Sequence, residues 1–102
     1  MKHLKITITG RVQQIGFRFY AMQAAYKHGV NGWIINRNDG SVYLEAEGEE
    51  EAINAFLSWC RQGPLGAKVE EVKYVEGELA DYSSFEIRSR ASWLNTDTEP
   101  GE

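Results

Sequence analysis

The stretch Gly10-Arg11-Val12-Gln13-Gln14-Ile15-Gly16-Phe17-Arg18 gathers glycines, amide side chains and arginine where the chemistry of an anion receptor needs them. Ahead of it, Leu4, Ile6 and Ile8 alternate with Lys5, Thr7 and Thr9, the period of a half-buried strand. Behind it, Phe17, Ala21, Ala24, Ala25 and His28 fall on one face at helical spacing. The stretch therefore sits where a strand hands over to a helix. The first N–H groups of a helix have no partner within it, and the helix dipole favours negative charge there. A loop that offers such amides beside a guanidinium is a receptor of phosphate size. Taken alone, the same residues fit an ordinary strand-to-helix turn equally well, because glycine is common at such turns.

The elements that would position this loop follow in order. A strand is expected over residues 4–9, the loop over 10–17 and a helix over 18–27, stopped at Gly29. A second strand over 30–37 and a third over 41–47 flank Asn38-Asp39-Gly40, a turn sequence tolerant of positive φ, and so read as a hairpin. A second helix opens after Gly48 with Glu49, Glu50 and Glu51, which complement its dipole, and carries Ile53, Phe56, Leu57 and Cys60 on its apolar face. Gly63 and Pro64 close it. A fourth strand over 69–76 lacks clean alternation. A polar turn through Ala80-Asp81-Tyr82-Ser83 leads to a short last strand over 85–88. The order implies an α+β fold, a ferredoxin-like split βαβ sandwich with an antiparallel sheet and two helices on one face. The domain is expected over 1–90, with a loose tail over 91–102 that Trp93 and Leu94 interrupt.

Three segments resemble the acylphosphatase family. Gly10 to Arg18 is similar to the family signature Gly-x-Val-Gln-Gly-Val-x-Phe-Arg. Gly32-Trp33-Ile34-Ile35-Asn36, followed by Asp39-Gly40-Ser41-Val42, resembles its second motif, and Phe85-Glu86-Ile87-Arg88 its closing strand. The likeness runs from about residue 4 to residue 88, in family order and spacing. One position departs: Gln14 stands where the family has glycine.

The resemblance implies hydrolysis of acyl phosphates to a carboxylate and inorganic phosphate, with no cofactor and no metal. The leaving carboxylate has a pKa near that of Asp or Glu, about 4, so it departs without a strong general acid. A catalyst must then hold the phosphoryl oxygens and place one water in line. By the family match, Arg18 takes the first task and the backbone N–H groups of Gln13, Gln14, Ile15, Gly16 and Phe17 complete the cradle. Asn36 takes the second, because a carboxamide holds a water without removing its proton. Gln14 either carries strain, if the family glycine supplies positive φ, or points to solvent or to phosphate.

Composition narrows the alternatives. The chain has 102 residues and a net charge of −4, with Lys and Arg scattered, which argues against a nucleic-acid surface. No apolar run approaches the roughly 18 residues of a membrane span, and no secretory pattern opens the chain. Cys60 is the one cysteine, which suits a reducing cytoplasm. His3 and His28 are too few for a metal site. The reading is of a monomeric cytoplasmic enzyme whose partners are a small acyl phosphate and its product phosphate. The competing readings are a non-catalytic anion- or partner-binding module with a drifted loop, and a ferredoxin-like RNA binder, which the acidic balance disfavours. Phe17, Tyr20 and Trp33 are expected to pack, Arg11 to be solvated, and Gln13 and Gly16 to shape the loop.

Overall fold

The computed structural model describes residues 1–89. Its elements are β1 (Lys2–Arg11), α1 (Phe17–His28), β2 (Asn31–Asn36), β3 (Val42–Gly48), α2 (Glu50–Gln62), β4 (Lys68–Glu76) and β5 (Phe85–Ile87). The strands form one sheet in the order β4-β1-β3-β2-β5. The alternation in β1 points Leu4, Ile6 and Ile8 into a core shared with Phe17, Ala21, Ala24 and Ala25 of α1 and Ile53, Phe56, Leu57 and Cys60 of α2. Small alanines let α1 lie close to the sheet. Both helices cover that one face, as the order of elements implied. Four strands pair antiparallel, but β5 joins β2 in parallel, so the sheet is mixed rather than wholly antiparallel.

A β-bulge explains why β4 does not alternate. Thr9 pairs with Glu71 and Gly10 with Val69, so one extra residue sits in β4. Val72 and Val69 therefore share the core-facing side three positions apart. Gly10 has φ 125°, and a Cβ there would lie 2.1 Å from the Lys68 carbonyl oxygen. No other residue fits, which ties the start of the loop to the edge strand.

The opposite face holds what the sequence did not foretell. β4 and β5 lie at opposite edges, so residues 77–84 must cross the sheet, and they do so on the side without helices. Gly77 N–H donates to the His3 carbonyl at 2.9 Å, and Gly32 N–H donates to that of Ser84 at 2.8 Å. Between them, the amides of Ala80 and Tyr82 donate to the buried Glu47 carboxylate. His3 presents Nδ1 at 2.6 Å from Glu47 Oε2 and Nε2 at 2.7 Å from Glu45 Oε1. Tyr82 packs with Trp33, Ile35 and Tyr43, and its hydroxyl accepts from Trp33 Nε1 at 3.0 Å. Burying polar groups without partners costs about 1–3 kcal/mol each, and here cross-strand register supplies the partners. The expected tail over 91–102, with Trp93 and Leu94, lies outside the described residues.

Candidate active site

The loop between β1 and α1 is held by its first glutamine. Gln13 Nε2 donates to the carbonyl of Arg37 at 2.7 Å and to that of Ser41 at 2.8 Å. These carbonyls flank the β2–β3 turn, whose shape is set locally. Asp39 Oδ1 accepts from Ser41 N–H at 2.9 Å and from its hydroxyl at 2.6 Å, which holds that carboxyl below the usual range. One side chain thus clamps the loop to the strand that ends in Asn36. Gln13 shapes the loop, as its type and place suggested.

Two residues of the loop have left-handed backbone: Gln14 at φ 65° and Gly16 at φ 77°. Glycine takes this conformation freely, whereas glutamine there is strained by about 1–2 kcal/mol. The departure from the family pattern at Gln14 therefore keeps the turn and bears the strain. The loop's amides are left free. Among the described residues, the N–H groups of Gln13, Gln14, Ile15 and Gly16 donate no backbone hydrogen bond. Gly16 caps α1 without a side-chain cap, and no acidic residue stands in the first turn to neutralise its dipole. Phe17, buried beneath, packs edge-on against Trp59 at 5.4 Å and fixes the helix start.

Arg18 follows at the first turn, half-buried. Its Nη1 donates to the Arg88 carbonyl at 3.2 Å, just past β5, which leaves its other N–H groups for a ligand. Asn36, at the end of β2, faces the same space. Its Oδ1 is buried and has no hydrogen-bond partner among the described residues. A buried acceptor without a partner is rare, and a donor such as water would satisfy it. Arg18, Asn36, Gln14 and Gly16 line one cavity of about 240 Å³, walled on its apolar side by Val12, Phe17, Phe19 and Ile87. Of the sequence-predicted residues, Arg18, Asn36, Gln14, Gly16 and Phe17 line this cavity, whereas Gln13 turns its side chain to the hairpin and Ile15 packs against the core. Reasoning from sequence missed the Arg88 carbonyl, since a backbone group leaves no signature in residue type. Tyr20, expected to pack, is 45% exposed.

A family model for acylphosphatase matches residues 4–87. The chain belongs to the acylphosphatase family. It is 45% identical to the acylphosphatase of Thiobacillus denitrificans over 89 residues, covering 87% of this chain and 99% of that one. With the acylphosphatase of Oceanobacillus iheyensis it shares 38% over 90 residues, covering 86% and 99%. The crystal structure of acylphosphatase from Bacillus subtilis superposes with a TM-score of 0.84 at 35% identity, covering 86% of this chain and 99% of that one. The split βαβ fold and the acylphosphatase reading of the two motifs stand. Among the described residues no helix is long and apolar enough to cross a membrane.

Other reactive groups lie outside the cavity. Cys60 is wholly buried on α2, and burial pushes its thiol far up, so it serves as packing. Glu50 and Glu51 occupy the first turn of α2, where they complement its dipole, with Glu49 at the cap.

Proposed function

We propose that this acylphosphatase hydrolyses acyl phosphates with Arg18 and Asn36 as its catalytic residues. The Arg18 guanidinium and the amides of residues 13–17 hold the phosphoryl oxygens. Asn36 Oδ1 accepts a hydrogen bond from one water and aims it at phosphorus, opposite the acyl oxygen. The water oxygen bonds to phosphorus as the bond from phosphorus to the acyl oxygen breaks. The electron pair leaves on the carboxylate, and the water's proton passes to a phosphoryl oxygen of the product. The observation that carries this reading is Asn36 Oδ1, without a partner among the described residues and buried in the same cavity as Arg18.

Benzoyl phosphate turnover tests it. Arg18→Ala and Asn36→Ala each lose at least about 10²-fold in kcat, the usual effect of removing one pre-aimed polar contact, while circular dichroism and thermal midpoint stay near the parent's. Turnover within a few-fold of the parent in either variant would overturn that residue's role. We further propose that the enzyme acts as a monomer in the cytoplasm, a setting that suits its single buried cysteine.

A further inference from the structure

We infer that Gln14 is a third catalytic residue, the one that receives the leaving carboxylate. The inference rests on the assignment of Arg18 and the loop amides to the phosphoryl group. With phosphate seated there, the acyl group must extend toward the mouth of the cavity. Its exposed rim is Gln14 on the polar side, with Phe19 and Ile87, 48% and 39% exposed, as apolar wall. An acyl group laid against that wall turns its carboxyl oxygens toward Gln14.

The backbone points the same way. Gln14 is one of two non-glycine residues at positive φ among those described, and it stands where glycine would carry no strain. Strain of this kind persists only where the surrounding structure fixes it, and it clusters at active sites. The side chain itself is not spent within the fold: no hydrogen bond to the Gln14 carboxamide is present among the described residues, whereas the neighbouring Gln13 spends its own on two carbonyls. The Gln14 Nε2 hydrogens, donors without an acceptor among the described residues, then stand beside the point where negative charge develops. As the bond from phosphorus to the acyl oxygen lengthens, charge gathers on the departing carboxylate, and a hydrogen bond from Nε2 strengthens with it. No proton is transferred, because a carboxylate of ordinary acidity needs none.

The test uses benzoyl phosphates substituted on the ring, so that the acidity of the leaving acid varies, with Gln14→Gly and Gln14→Asn as variants. Glycine relaxes the backbone and asparagine tolerates positive φ, so both keep the turn while losing the reach of the amide. The expected result is a steeper fall of log kcat/KM with leaving-acid pKa than in the parent. The loss should reach about tenfold for the poorest leaving group, the effect of one exposed hydrogen bond to developing charge. Inhibition by inorganic phosphate, which has no acyl oxygen, stays within about twofold. An unchanged slope overturns the inference. So does a phosphate inhibition constant that moves in step with kcat/KM, since that would place the effect in the cradle. Failure of the underlying assignment shows separately, as retained turnover in Arg18→Ala with Gln14 intact.

Discussion

The clamp made by Gln13 joins the loop to the hairpin that follows Asn36, and cutting it tests whether that junction matters. In Gln13→Ala two hydrogen bonds vanish, of 2.7 and 2.8 Å. The Ser41 carbonyl keeps the Arg37 amide, at 2.9 Å, and the Arg37 carbonyl keeps a longer bond from Gly40 at 3.3 Å. Neither carbonyl is wholly orphaned, so the loss is that of two ordinary bonds, about 1–3 kcal/mol. For a domain near 100 residues that is a fall in thermal midpoint of roughly 10 °C. Activity should suffer beyond stability, because the loop amides and Asn36 lose their fixed relation, and misplacement of about 1 Å costs on the order of 10²-fold in rate. Gln13→Glu should be worse, since it faces two carbonyls with an acceptor. The assays are thermal unfolding by circular dichroism and benzoyl phosphate kinetics well below the midpoint. If Gln13→Ala melts within about 1 °C of the parent and keeps its kcat/KM, the clamp is incidental and the account of how the site is built is wrong.

Two further outcomes concern the frame. In Glu47, burial would raise the pKa, but the Ala80 amide, the His3 ring and the Tyr82 amide overcome it and hold the carboxyl below its usual value. A depressed folded value means stability that is present above an unfolded glutamate's pKa of about 4.3 and lost as pH falls through the folded one. Glu47→Gln should therefore flatten the acid limb of a stability–pH curve, measured by urea unfolding; an unaltered limb would exclude Glu47 from that linkage. Gly10→Ala drives a Cβ to 2.1 Å from the Lys68 carbonyl and should destabilise by about 2 kcal/mol or more, read in the same unfolding experiment. A change under about 0.5 kcal/mol would show that the bulge is not fixed by that residue.

Much of this architecture can be read along the chain, and the exceptions have physical reasons. Leu4, Ile6 and Ile8 announce β1 because they fill the apolar core on one face of that strand, while the other face carries polar residues that are only partly covered apart from His3. The motifs around Arg18 and Asn36 mark two segments far apart in sequence that the β2–β3 hairpin and the loop bring into one cavity. The bulge blurs the alternation of β4, which is found where a fourth strand was expected, because one extra residue breaks the period of two. The partnership of His3 with Glu45 and Glu47 is a product of register between β1 and β3, which pairs His3 with Glu47 and cannot be seen until the strands are aligned. The parallel pairing of β5 depends on a connection that crosses the sheet, and no local pattern records such a crossing. Gln14 shows the limit most plainly. Its residue type argues against a left-handed backbone, yet the fold imposes φ 65°.

In the proposed mechanism Arg18 grips the phosphoryl group and Asn36 directs water. Phosphate affinity separates the two, measured by NMR titration of the free enzyme and its variants so that no turnover is needed. Arg18→Ala should lose affinity for inorganic phosphate by about tenfold or more, the effect of removing a charged hydrogen-bonding partner. Asn36→Ala should keep that affinity within about twofold while its kcat collapses. Equal loss in both variants, or full phosphate affinity without Arg18, would contradict that mechanism.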